Sequence, residues 1–127
     1  KNLGVDTLQI AGNAVTIPTS TTLSSNATNL GTSYVEILDL TWTSTGAPTI
    51  CFFNFGFQGS GNAGTFSGDL QARHGSTAIT QVALGPDNFR LFNYAAFFHI
   101  ASPSVGSNTV SIYAKESQSS DSITVKS

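Results

Sequence analysis

The chain reads as an all-β protein: an antiparallel β-sandwich of jelly-roll kind, with about eight strands and a short N-terminal hairpin or stem segment. Three observations predict this. Glu, Lys, Leu and Ala never gather with a helical repeat of about 3.6 residues. Apolar and polar residues instead alternate with the two-residue period of half-buried strands over most of the chain. Clusters of Gly, Pro, Asn, Asp and Ser separate these stretches at the short intervals typical of sandwiches.

The first element is "LQIAGNAVTIP", Leu8 to Pro18. Gly12-Asn13 suits a hairpin turn, and Pro18 ends the second short strand. A Ser/Thr run follows, so residues 1–20 read as a stem or hairpin segment and 21–127 as one sandwich domain. "YVEILDLTWT" places Tyr34, Leu38, Leu40 and Trp42 on one face, with Glu36 the exception, and puts Glu36 and Asp39 on opposite faces. "TICFFNFGFQ" aligns Cys51, Phe53, Phe55 and Phe57 on one side and Ile50, Phe52, Asn54 and Gly56 on the other. "GDLQARHG" and "TAITQVALG" follow, divided by His74-Gly75-Ser76, with Leu70, Ala72, Ile79, Val82 and Leu84 inward. "NFRLFNYAAFFHIA" is apolar on both faces. Phe92, Tyr94, Phe98 and Ile100 share one, and Phe89, Leu91, Ala95 and Phe97 share the other. "NTVSIYAKE" turns Val110, Ile112 and Ala114 inward, and "DSITVKS" turns Ile123 and Val125 inward. Turns fall at 44–48, 59–64, 85–88, 102–108 and 117–121, with Pro86-Asp87 suited to a type I turn.

Composition narrows the function. A chain of 127 residues suits one domain with a core of its own. Charged residues make up 9%, against about 25% in ordinary globular proteins. The surface is therefore built from Ser, Thr, Asn, Gln and Gly, which fits an exterior protein or a subunit packed against its own copies. The net charge is −2, and Lys1, Arg73, Arg90, Lys115 and Lys126 stand apart, which argues against a nucleic-acid partner. Cys51 is the one cysteine, so no intrachain disulfide forms, and its apolar strand predicts a buried, inert thiol. No apolar run approaches the roughly 18 residues of a membrane span. "KNLGVDTLQ" has no signal-peptide core and does not begin with Met, which suggests a piece of a longer protein.

The inventory for chemistry is short. His74, in a turn, and His99, on an apolar strand, have no partner at metal-ligand spacing, so no metal or other cofactor is expected. The carboxylates Asp6, Glu36, Asp39, Asp69, Asp87, Glu116 and Asp121 form no evident glycosidase pair. No nucleophile elbow or phosphate loop is present. Asn26-Ala27-Thr28 matches a glycosylation sequon. Loops carry recognition on rigid β scaffolds, and here they hold Gln58, Asn62, Phe66, Arg73, His74, Asp87, Asn88 and Arg90. The apolar faces of strand 89–100 are too many for a lone sandwich. Phe89, Leu91, Phe92, Phe97 and Phe98 are the candidates for contact between subunits.

"LGVDTLQIAGNAVTIP", Leu3 to Pro18, resembles the segment that precedes the C-terminal domain in tail-tip or central-fibre, host-specificity proteins of long-tailed phages related to the lambda tail-tip protein. "TSYVEILDLTWTSTGAPTICFFNF" is more loosely similar to the start of that domain. The later half carries no matching motif. The resemblance implies a homotrimer at the virion tail tip that binds an outer-envelope receptor of the host, protein or polysaccharide, without catalysis or membrane insertion. It provides no receptor-contact residues. A fibre tip meets the cell with the loops opposite its stem, so the "GSGNAG" loop is the first choice and 85–90 the second, with Asn62, Phe66, Asp87, Asn88 and Arg90 as the candidate contacts. The alternative is a lectin-like module of a larger protein, with Trp42 and Tyr94 or Tyr113 as a sugar platform. A depolymerase would need a close carboxylate pair.

Overall fold

The computed structural model describes residues 19–28, 30–60, 68–84, 91–117 and 122–127. They contain β1 (Val35–Ser44), β2 (Thr49–Ser60), β3 (Gly68–His74), β4 (Thr77–Leu84), β5 (Leu91–Ile100), β6 (Gly106–Glu116) and β7 (Ser122–Lys126). Two antiparallel sheets result, one ordered β1-β6-β3-β4 and the other β5-β2-β7. The hairpin expected at 8–18 lies outside the described residues.

Consecutive strands alternate between the sheets except at the β3–β4 hairpin, which is jelly-roll connectivity. The described strands number seven rather than eight. The place of the eighth, beside β7 and ahead of β1, is taken by one bridge: Ala27 and Val125 exchange both backbone hydrogen bonds at 2.9 Å. The sequence explains the reduction. Around Ala27 the chain is Ser, Asn and Thr, whose side chains compete with a ladder for backbone groups. Asn26 does so here, its Oδ1 accepting from the backbone N of Ser127 at 3.1 Å.

The alternation places the core between the sheets. Phe55, Phe57 and Phe98 face Leu70, Ala72, Val110, Ile112 and Ala114, with Ile123 and Val125 fully enclosed. Burying each such large side chain contributes about 1.5–3 kcal/mol. Phe53 anchors the aromatic part, its ring centroid 5.6–6.0 Å from those of Phe55, Tyr94 and Phe98. Phe98 was expected among the contacts between subunits. It shares the inward parity of Tyr94 and Ile100 and is buried in its own core, so it leaves that set.

Two β-bulges change which side chains share a face. On β1, Glu36 pairs with Tyr113 and Leu38 with Ile112, so Ile37 is the extra residue. The bulge reverses the parity between Glu36 and Asp39. Asp39 pairs with Ser111, two residues from Tyr113, so the two carboxylates lie on the same outer face and not on opposite ones. On the β3–β4 pair, Ala72 faces Thr80 and Arg73 faces Ala78. The skipped residue, Ile79, packs against the core. The hairpin between them turns at Gly75, whose φ of 58° is costly for a residue with a Cβ.

One polar side chain is structural. Glu116, at the end of β6, is buried. Its Oε2 accepts from Gly31 N at 3.1 Å and its Oε1 from Ile123 N at 3.2 Å, while its own backbone N donates to Gly31 O at 2.7 Å. Nearby, a Cβ on Gly68 would overlap the Ile123 side chain and come within 2.8 Å of the Lys115 carbonyl oxygen. The layers meet here with no spare room.

Glu116→Ala is expected to cost about 1–3 kcal/mol in urea unfolding, because it leaves the buried Ile123 N–H without an acceptor and removes that of the part-buried Gly31 N–H. Glu116→Gln retains one acceptor and should cost less. Thr43→Ala, on the exposed face of β1, should change stability by less than about 0.5 kcal/mol.

Candidate functional site

The strand registers bring several strand ends together. Ser60 pairs with Ser122, Gln58 with Leu91, and Gly68 with both Leu84 and Glu116. Residues 61–67, 85–90 and 118–121 join these ends, so all three connections leave from one end of the sandwich. Asn62, Phe66, Asp87, Asn88 and Arg90 belong to them and lie outside the described residues, as does Phe89. Leu91 and Phe92 belong to β5.

A polar rim borders this end on the outer face of the four-stranded sheet. Antiparallel register sets Asp69 opposite Lys115 and Gln71 opposite Tyr113, with Tyr34 just ahead of β1. Lys115 Nζ lies 3.3 Å from Asp69 Oδ2 and 4.9 Å from the centre of the Tyr34 ring. The Arg73 guanidinium sits 4.0 Å from the Tyr113 ring centre and 5.4 Å from that of Tyr34. Its Nε donates to Gln71 Oε1 at 2.6 Å. Tyr113 OH donates to Glu36 Oε2 at 2.8 Å. Each cation–ring contact contributes about 0.5–1 kcal/mol where exposed. Together they hold long side chains in fixed positions, which lowers the entropy lost when a ligand is gripped.

The titration of the rim follows from its packing. Burial of the Tyr34 hydroxyl, followed by the charge of Asp69, raises its pKa above the ordinary tyrosine value, with Lys115 and Arg73 opposing. That hydroxyl is enclosed and makes no hydrogen bond of good geometry, although it faces Asp69. Tyr113 is also raised, chiefly because its proton is held by Glu36. Glu36 and Asp39 further line an open groove of about 340 Å³ between residues 21–30 and the start of β1, with Thr22, Ser24 and Asn26 across from them.

The other residues singled out in the sequence have different roles. His74 is the last residue of β3 and not a turn residue. It stacks on Trp42 at 5.9 Å and hydrogen-bonds Asn108 at 2.9 Å, plugging the opposite end of the core. Asn108 is buried and donates to the carbonyls of Ser104 and Gly106. Gln58 is half-buried on β2. Trp42 and Tyr94 pack against the core, whereas Tyr113 is on the outer face, so the three rings form no common sugar platform. Cys51 is half-buried on the core side, and burial raises its thiol pKa. His99 lies exposed opposite Ile50. Among the described residues, no cluster of three or more His, Cys, Asp or Glu is placed to hold a metal.

Of the rim, the sequence names Arg73 as a loop recognition residue and Tyr113 as part of the alternative sugar platform. Tyr34, Asp69, Gln71, Tyr113 and Lys115 come together through cross-strand register, which no short motif encodes. Their one sequence signal is that charged and aromatic residues occupy outward positions of otherwise apolar strands.

Comparison with family models, curated proteins and solved structures found no match.

Tyr34→Phe removes an enclosed hydroxyl without a partner, and is expected to leave stability unchanged or raise it by up to about 1 kcal/mol. The raised Tyr34 pKa also sets a pH dependence. The unfolded chain loses this proton first, so stability is constant below the ordinary tyrosine pKa of about 10 and falls as pH rises above it. Chemical denaturation at a series of alkaline pH values should show a shallower fall for Tyr34→Phe than for the wild type.

Proposed function

We propose that this chain is the C-terminal domain of a phage tail-tip or central tail-fibre protein, and that it attaches the virion to its host as a homotrimer, by binding and without catalysis. The observation that supports this most is the convergence of three connections, 61–67, 85–90 and 118–121, at one end of a sandwich whose strands are locked by register. Two of the three are the loops that the sequence singles out.

The path of the preceding segment is compatible with a stem on the other side. Residues 19–21 lie beside Cys51–Phe55 in the first half of β2, and the chain then runs past Val125 to reach Gly31 at the loop-bearing end. Thr19, where the described residues begin, thus lies by the half of β2 remote from the loops. The rim of Tyr34, Asp69, Arg73, Tyr113 and Lys115 offers paired charges and hydrogen-bonding groups beside those loops. Such a mixture suits a polar envelope component, a polysaccharide or the loops of an outer-membrane protein.

Adsorption of the purified domain to host cells tests this reading. Asn62→Ala, Arg90→Ala and Arg73→Ala, each with unchanged melting, are expected to weaken adsorption by about tenfold, equivalent to about 1.4 kcal/mol. Undiminished adsorption by all three variants would contradict this location. Release of reducing sugar from host polysaccharide, abolished by a single Asp or Glu substitution, would contradict the non-catalytic reading.

A further inference from the structure

The two outer faces of the sandwich differ in chemistry. The four-stranded sheet presents Glu36, Asp39, Asp69, Arg73 and Lys115. The outer face of the β2–β5 pair presents Ile50, Phe52 and Phe97, exposed to 61%, 80% and 70%, with Ala95 and His99 in register beside them. Phe52 and Phe97 are direct cross-strand partners with ring centroids 5.9 Å apart. A contiguous cluster of this kind on an exterior protein marks a contact surface.

The adjoining edge identifies the kind of partner. Among the described residues, β5 is the outermost strand of its sheet. Its ten residues, Leu91–Ile100, include no Lys, Arg, Asp, Glu or Pro, and its register with β2 runs without a bulge. Soluble proteins ordinarily guard a strand edge with charge, proline or a bulge. A sugar or a lipid surface cannot satisfy a row of alternating backbone donors and acceptors, but another polypeptide can.

The absence of charge points to which polypeptide. Lys126, opposite Gly56 on β7, lies on the outer face of this sheet four residues along β2 from Phe52. The patch around Phe52 and Phe97 itself holds no charge, so it meets its own copy with no like-charge repulsion, whereas a partner chosen by electrostatic complementarity would find no charge to read there. We infer that the Ile50, Phe52 and Phe97 face, with the β5 edge, is where copies of this chain meet. The inference rests on the proposed function only for the number of copies, three. The contact itself follows from the chemistry of the face. It also separates the roles of the two sheets: the apolar patch assembles the domain, and the charged rim on the other sheet remains free.

The test is mass in solution, by light scattering over a range of concentrations, for the whole chain and its variants. The wild type is expected to associate at micromolar concentration. Phe52→Ser with Phe97→Ser should raise the dissociation constant by about 30-fold or more, as loss of two central aromatic anchors does. Phe97→Glu alone provides a second variant if the double one fails to fold, since it changes one exposed side chain. A wild type that stays monomeric, or a folded variant that associates as tightly as the wild type, overturns the inference. Host-cell adsorption of the wild type is read in parallel. Its failure counts against the receptor reading, while the contact face is decided by mass alone.

Discussion

The buried Glu116 side chain is the point on which the domain closes. It holds the chain ahead of β1 through Gly31 and the start of β7 through Ile123, while its own strand sits in the middle of the four-stranded sheet. β7 in turn carries the fully enclosed Ile123 and Val125, and pairs with only one end of β2. A five-residue strand with so short a ladder is a weak element by itself. Two charge-capable acceptor oxygens directed at backbone N–H groups compensate for that, because hydrogen bonds of this type are stronger than neutral ones. The same staple fixes the end of the sandwich from which the candidate loops leave. The geometry of the proposed recognition end therefore depends on a side chain that touches no ligand.

A low-charge chain has few ways to stay both soluble and specific. Here the charges of the described strands, Lys126 and the buried Glu116 apart, concentrate on the outer face of one sheet, where Tyr34 and Tyr113 hold Arg73 and Lys115 in place by cation–ring contacts. The other sheet carries aromatic residues outward. Among the described residues, Asp69 and Lys115 stand at the loop-bearing end of the charged face, with Arg73 reaching back toward them over Tyr113. A trimer built on the apolar patch would present three copies of the charged rim, and multivalent attachment multiplies a modest single-site affinity.

The alternation of each strand, and hence the core, was legible in the sequence, because in a sandwich one face of each strand must be apolar. Phe55, Phe57, Leu70, Val110, Ile112, Ile123 and Val125 are inward as their period requires. Parity failed at the bulges. Nothing in "YVEILDL" announces that Ile37 is skipped, so Glu36 and Asp39 were assigned to opposite faces. Phe98 could not be separated from Phe97 in a strand apolar on both sides until β2 was set against it. In the sequence Glu116 is one of seven carboxylates without an evident pair and Asn108 the end of a turn, because a buried polar group is recognised only by its partners. The polar rim stayed hidden for a related reason: residues 34, 69, 73, 113 and 115 are neighbours through register and not through sequence. The resemblance to tail-tip proteins carried the functional reading, and its motif lies ahead of residue 19.

The central claim is a division of labour between an assembling face and a recognising end. Hydroxyl-radical footprinting of the assembled domain, with and without host envelope fragments, tests it most directly, since Phe and Tyr both report by oxidation. The account predicts that Phe52 and Phe97 are protected before any host material is added. It further predicts that Tyr34 and Tyr113 become protected only when it is present. Freely oxidised Phe52 and Phe97 in the assembly, or their protection only on addition of host fragments with Tyr34 and Tyr113 unchanged, would contradict it.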